Sequence, residues 1–316
     1  MSGKIRIGAC LTMLALLAGC ATSPNEETGI SRAPAPAGAG PQPAPARTTA
    51  PPRSPIPPSD VDAAARLRAS TRHGEWARIP VPAAEGGAVT DTVRAWVVYP
   101  ERSTKAPVVV VIHEIFGLTT WVRAVADQLA ADGFIAIAPD LLHGERLPAP
   151  PDSLATAPWG LDSAVAVISA LDYGKVIRRI GATGAYGTSL PSALPRWGVT
   201  GFCWGGSIVF ATVGNIPQVG AAVAFYGGAA ENQIDLSRVR TPTLGIFAEH
   251  DARVNATIPY IRRSFANASV TYADSVFAGA GHGFLSKQDA HDGANLRASN
   301  AAWPMAVRWF RQHLGG

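Results

Sequence analysis

Trp197-Gly198-Val199-Thr200-Gly201-Phe202-Cys203-Trp204-Gly205-Gly206 is an apolar run that breaks at a cysteine framed by glycines. The residues up to Phe202 suit a strand buried on both faces, and residues 207–213 suit a helix. G-x-C-x-G at that junction predicts a sharp strand-to-helix turn. The thiol is then displayed at the carboxyl edge of a sheet, where parallel sheets gather their chemistry.

The same alternation repeats outward from this turn. Val108-Val109-Val110-Val111-Ile112 is a continuous β-branched run, followed by a helical stretch over 121–131 that Gly133 ends. Strands are expected over 134–138, 199–202, 219–226, 243–248 and 270–277, and helices over 61–69, 162–171 and 298–313. Residues 78–82 and 93–99 alternate as a strand pair ahead of the main sheet. This succession predicts an α/β fold: a doubly wound, mostly parallel sheet flanked by helices. Residues 173–196 resist assignment, and Gly181-Ala182-Thr183-Gly184-Ala185-Tyr186-Gly187 reads as a loop near the rim of the site.

The beginning of the chain obeys other rules. Lys4 and Arg6 precede an apolar run over 7–18, shorter than the roughly 20 residues that span a bilayer, so residues 1–19 read as an export signal. Residues 20–60 are rich in Pro, Ala, Gly, Ser and Thr, as in Pro41-Gln42-Pro43-Ala44-Pro45. Such a segment cannot bury enough apolar surface to offset its chain entropy, so a disordered, partly polyproline tether is expected. The folded domain is expected over 61–316. The 27 Lys and Arg and 23 Asp and Glu form no basic stripe, which excludes an electrostatic nucleic-acid binder. Cys10 lies in the signal and Cys20 at its end, which leaves Cys203 without a disulfide partner in the domain.

Four polar residues follow predicted strands: Glu114, Cys203, Asp251 and His282. A thiol ionises near pH 8.5 or so, so its use as a nucleophile calls for a base. His282 suits that role, and Asp251 suits the task of fixing its tautomer. Each residue also has a plainer reading. Cys203 reads as an inert core thiol, Asp251 as the N-cap of a helix over 255–266, and His282 as a loop histidine between Gly281 and Gly283. Glu114 reads as a helix-start carboxylate. His113 is expected to pack or hydrogen-bond locally. The histidines and carboxylates lack metal-ligand spacing, so no metal or organic cofactor is expected.

Four motifs in order carry a resemblance over residues 75–314. His113-Glu114-Ile115-Phe116-Gly117-Leu118, the Gly201 to Gly206 turn, the Asp251 segment and Gly281-His282-Gly283-Phe284 together resemble the dienelactone hydrolase family. The resemblance implies the α/β-hydrolase fold, with Cys203 as nucleophile, His282 as base and Asp251 as its orienter. It implies that Glu114 is an additional acid holding the resting thiol. It also implies an oxyanion hole formed by the backbone N–H groups of Ile115 and Trp204. The implied reaction cleaves a small-molecule ester or lactone through an acyl-cysteine. A thioesterase or general carboxylesterase on the same site, and a non-catalytic ligand-binding envelope lipoprotein, are the alternatives.

The sequence departs from the family at two arginines that bind a substrate carboxylate. Ser286 stands four residues past His282, where one is found, and residues 148–160 contain none. Arg253 and Arg146 are the nearby candidates to replace them. Leu17-Ala18-Gly19-Cys20 resembles the lipobox of bacterial lipoproteins. That resemblance implies lipid on Cys20, a membrane partner and a place in the bacterial cell envelope. Ala21, rather than Asp, implies the periplasmic face of the outer membrane.

Overall fold

The computed structural model describes residues 54–83, 87–145 and 161–315. The expected export signal, the tether as far as residue 53, Cys20, Arg146 and residues 148–160 lie outside the described residues. The chain runs α1 (Ala63–Arg68), β1 (Gly74–Pro82), β2 (Val89–Val98), β3 (Ala106–Ile112), α2 (Thr120–Ala131), β4 (Ile135–Pro139), α3 (Leu161–Ala170) and α4 (Tyr173–Ser189). It continues through β5 (Ala193–Phe202), α5 (Trp204–Asn215), β6 (Ala221–Phe225), β7 (Thr243–His250), α6 (Ala252–Asn255), α7 (Ile258–Ala268), β8 (Tyr272–Gly281) and α8 (Ala294–Leu314). Among the described residues the strands form one sheet in the order β1-β2-β4-β3-β5-β6-β7-β8. β2 pairs antiparallel with β1 and with β4, and every pair from β4 to β8 is parallel. This is the mostly parallel α/β-hydrolase sheet that the sequence predicts.

β3 shows why the sheet sits at the centre. All seven of its residues are buried. Side chains alternate across a strand, so Val109 and Val111 enter one core while Val108, Val110 and Ile112 enter the other. Helices α2 and α8 close the first core with Val122, Val125, Trp303 and Phe310. Helices α4, α5 and α7 close the second with Val176, Ile180, Val209 and Phe265. Burial on both faces is what a β-branched run without polar alternation requires.

Two expectations change. Residues 181–187, read as a loop near the rim, belong to helix α4, which Asp172 caps by accepting from the Gly174 and Lys175 amides. Its small residues allow close approach to the sheet. A Cβ on Gly187 would lie 2.6 Å from Val108, and one on Gly184 would lie 2.4 Å from the Trp197 ring. Buried Arg179 secures the same helix by donating to both Asp91 oxygens and to the Leu141 and His143 carbonyls.

Residues 54–60, which composition assigns to the expected tether, also depart from expectation. They lie against the fold: Ile56 is buried, and Trp121 Nε1 donates to the Pro58 carbonyl at 3.0 Å. The Asp60 amide donates to the Ser286 carbonyl at 2.9 Å, and Lys287 forms an ion pair with Asp60. No helix among the described residues is long and apolar enough to cross a membrane.

Candidate active site

Cys203 occupies the turn between β5 and α5 with φ 57° and ψ −118°. A left-handed φ is costly for a non-glycine residue and is typical of functional sites. The flanking glycines make the turn possible. A Cβ on Gly201 would stand 2.3 Å from the Gly205 carbonyl oxygen, and one on Gly205 would stand 2.4 Å from that of His113. The Cys203 amide donates to the Phe225 carbonyl at 3.1 Å, which ties the apex to β6. Cys203 is half-buried, and it is the free thiol of the described residues. The Trp204 N–H opens α5 and is one of the four that a helix leaves without an internal partner.

β7 delivers Asp251. One carboxylate oxygen accepts the Val254 amide at 3.4 Å and caps α6, while the other lies 2.5 Å from His282 Nδ1. The plain N-cap reading and the orienter reading are therefore compatible. β8 delivers His282 just past its end, where Gly283 at φ 76° lets the chain turn. The His282 side chain is about one-third exposed, at 34%, and it is hydrogen-bonded to Asp251, with Cys203 among the groups that act on its charge. Desolvation draws its pKa down, but the interactions with Asp251 and Cys203 outweigh it and push the value up to about 10. Solvent at the exposed edge of the ring tempers that pull. His250, one residue before Asp251, is exposed and stacks on His291 instead.

Glu114 follows β3. Burial pushes its carboxyl up to about 7; positive charge on His282 and Lys287 opposes the rise, and Asp60 reinforces it. Its charged neighbours are thus His282, Lys287 and Asp60. His113 is fully buried, with Nδ1 2.6 Å from the Glu114 carbonyl oxygen and Nε2 3.1 Å from the Leu141 amide. The local bonding expected of His113 is what it makes. Ser286 donates to the Gly283 carbonyl, and Arg253 is exposed on α6.

Three residues near the site have no signal in the sequence that marks them. Lys287 and Asp60 face Glu114 from segments 227 positions apart. Tyr226 follows β6 at φ 38°, with its ring 5.3 Å from His282. Its buried hydroxyl has no partner among the described residues. Burial, together with the charges of Glu114 and Cys203, holds that hydroxyl neutral. No group of three or more metal-binding side chains occurs among the described residues.

The arrangement is an imidazole joined to a carboxylate, with a thiol at the neighbouring strand-to-helix turn of the same sheet. Comparison with known proteins identifies the family. The Dienelactone hydrolase family model matches residues 93–314. A Salmonella typhi protein with a provisional carboxymethylenebutenolidase name is 28% identical over 236 residues, covering 71% of this chain and 84% of its own. Protein usf of Aquifex pyrophilus is 30% identical over 235 residues, 70% of this chain and 94% of its own. A crystal structure from Klebsiella pneumoniae, provisionally named a dienelactone hydrolase, superposes with a TM-score of 0.63 at 23% identity. It covers 76% of this chain and 99% of its own. With the fold, the ordered motifs and the family model all in agreement, the chain belongs to the dienelactone hydrolase family.

Proposed function

We propose that this chain, a carboxylic ester hydrolase of that family, cleaves a small-molecule ester or lactone through Cys203, His282 and Asp251. The observation that carries the reading is the Asp251–His282 hydrogen bond beside the strained Cys203 turn, with the thiol among the groups that raise the proton affinity of His282. Sulfur attacks the substrate carbonyl carbon, and the oxyanion that forms sits against the Ile115 and Trp204 N–H groups. His282 takes the thiol proton as sulfur attacks, the step its raised proton affinity favours, and the resulting imidazolium then protonates the leaving oxygen. The C–O bond breaks, the alcohol departs and an acyl-cysteine remains. His282, now neutral, takes a proton from water as that water attacks the thioester, and the acid leaves with the thiol restored.

Glu114 is proposed as the auxiliary acid beside this pair, holding the thiol at rest. The Leu17-Ala18-Gly19-Cys20 segment supports a lipid anchor on Cys20 and a place in the bacterial envelope.

The test is mass detection of an acyl adduct on Cys203 after mixing with p-nitrophenyl esters and lactones, with Cys203→Ala as control. Absence of adduct and of turnover in a folded sample would favour the non-catalytic binder. Incorporation of labelled palmitate, lost in Cys20→Ala, checks the anchor.

A further inference from the structure

His113 takes no step in the proposed reaction. Its Nε2 is 3.1 Å from the Leu141 amide. A backbone N–H can only donate, so Nε2 accepts and the ring proton resides on Nδ1. Nδ1–H then donates to the Glu114 carbonyl oxygen at 2.6 Å. The Gly117 amide adds a longer bond to the same oxygen, at 3.3 Å.

That oxygen belongs to the same peptide group as the Ile115 N–H. In a trans peptide the C=O and N–H point in opposite directions. Holding the oxygen on one side therefore aims the N–H on the other. Among the described residues the Ile115 N–H donates to no backbone acceptor.

The ring also meets the other donor's residue. His113 stacks on Trp204 with centroids 5.5 Å apart and planes 24° from parallel. Behind His113 the support continues, since Arg179 Nη1 donates to the Leu141 carbonyl at 2.8 Å. Arg179 is itself buried and bound to both Asp91 oxygens. A line of hydrogen bonds thus runs from α4 through Arg179, Leu141 and His113 to the Glu114–Ile115 peptide.

We propose that His113 is a positioning residue of the oxyanion hole, keeping the Ile115 and Trp204 N–H groups in register for the transition state. The inference rests on the ester-hydrolase reading. Loss of one such donor costs about 10²–10³ in rate, and misplacement by about 1 Å costs about 10².

The full chain carrying His113→Asn or His113→Gln is compared with wild type in two reactions of Cys203. The p-nitrophenolate burst from p-nitrophenyl acetate passes through an oxyanion, whereas alkylation by iodoacetamide does not. Asparagine places an N–H near the position of Nδ1 and keeps the grip on Glu114. Glutamine reaches the Leu141 amide and abandons Glu114. The expected burst rate falls about 30-fold or more in the Gln variant and stays within about fivefold in the Asn variant. Alkylation of both stays within about twofold of wild type, and kcat moves more than KM. An undiminished burst in the Gln variant overturns the proposal while leaving the hydrolase reading intact. So does an equal loss in both reactions, or an Asn variant as slow as the Gln variant. Wild type that is alkylated yet releases no p-nitrophenolate overturns the hydrolase reading, and the proposal with it.

Discussion

Asp251 holds His282 with one carboxylate oxygen at 2.5 Å and caps α6 with the other at 3.4 Å. The two tasks can be separated by substitution. Asp251→Asn keeps an oxygen for the Val254 amide but loses the charge that supports the imidazolium. Its kcat/KM is expected to fall by about 10²–10⁴ with a stability change below about 1 kcal/mol. Asp251→Ala loses the cap as well and should be less stable than the Asn variant by about 1 kcal/mol. Steady-state rates and urea melts on both variants check this; equal stabilities would show that the cap contributes nothing.

Glu114 gives a pH-dependent prediction. Burial raises its carboxyl from an ordinary 4.5 to about 7, against the opposing charges of His282 and Lys287. Between those values the folded chain binds a proton that the unfolded chain has released. Its contribution to stability is therefore full below about 4.5 and lost as pH rises through about 7. Glu114→Gln carries no such loss. The variant should melt higher than wild type at pH 8 or so, and the gain should vanish by about pH 4. A gain that does not vary with pH refutes the assignment. If Glu114 also guards the resting thiol, peroxide should inactivate the variant faster than wild type.

Tyr226 carries a buried hydroxyl with no partner among the described residues. Replacing an unpaired polar group by an isosteric apolar one is neutral or stabilising. Tyr226→Phe should leave the melting temperature unchanged or raise it by up to about 3 °C. A drop of several degrees would show that the hydroxyl has found a bond.

Gly205 admits no side chain. A Cβ there would meet the His113 and Ile112 carbonyl oxygens at 2.4 and 2.5 Å, and both are backbone atoms that cannot swing aside. Gly205→Ala should cost about 1–3 kcal/mol and remove most activity by pushing α5 from the strand that carries Glu114. Calorimetry and ester turnover on one preparation test both effects, and a stable, active variant would contradict the close packing.

The strands and the reacting groups were legible because their signals are local. A β-branched run without polar alternation announces β3, and a cysteine between two glycines announces the turn at Cys203. Asp251 and His282 stand at strand ends, so topology alone brings them together. Helix α4 was misread because its glycines look like turn residues. Yet Val176, Ile180, Thr183, Gly184 and Gly187 lie on one buried face at helical spacing. Their smallness is explained by Val108 and Trp197, which fill the space opposite and stand far away in sequence. Residues 54–60 were hidden by composition, since proline-rich sequence reads as tether until its partners at 286–288 are known. Tyr226 resembles any core aromatic at a strand end, and only the fold reveals its φ and its orphan hydroxyl.

The backbone angles of Cys203 set durability against turnover. A φ of 57° with ψ of −118° is tolerable for glycine and costs other residues about 1–3 kcal/mol. Serine or alanine at this position would inherit the same strain, and only glycine would relieve it. Cys203→Gly should therefore give a sturdier protein with no nucleophile. Heat resistance selected at this one position would be gained by discarding the proposed reaction, so thermal improvement of the enzyme has to be sought elsewhere in the fold.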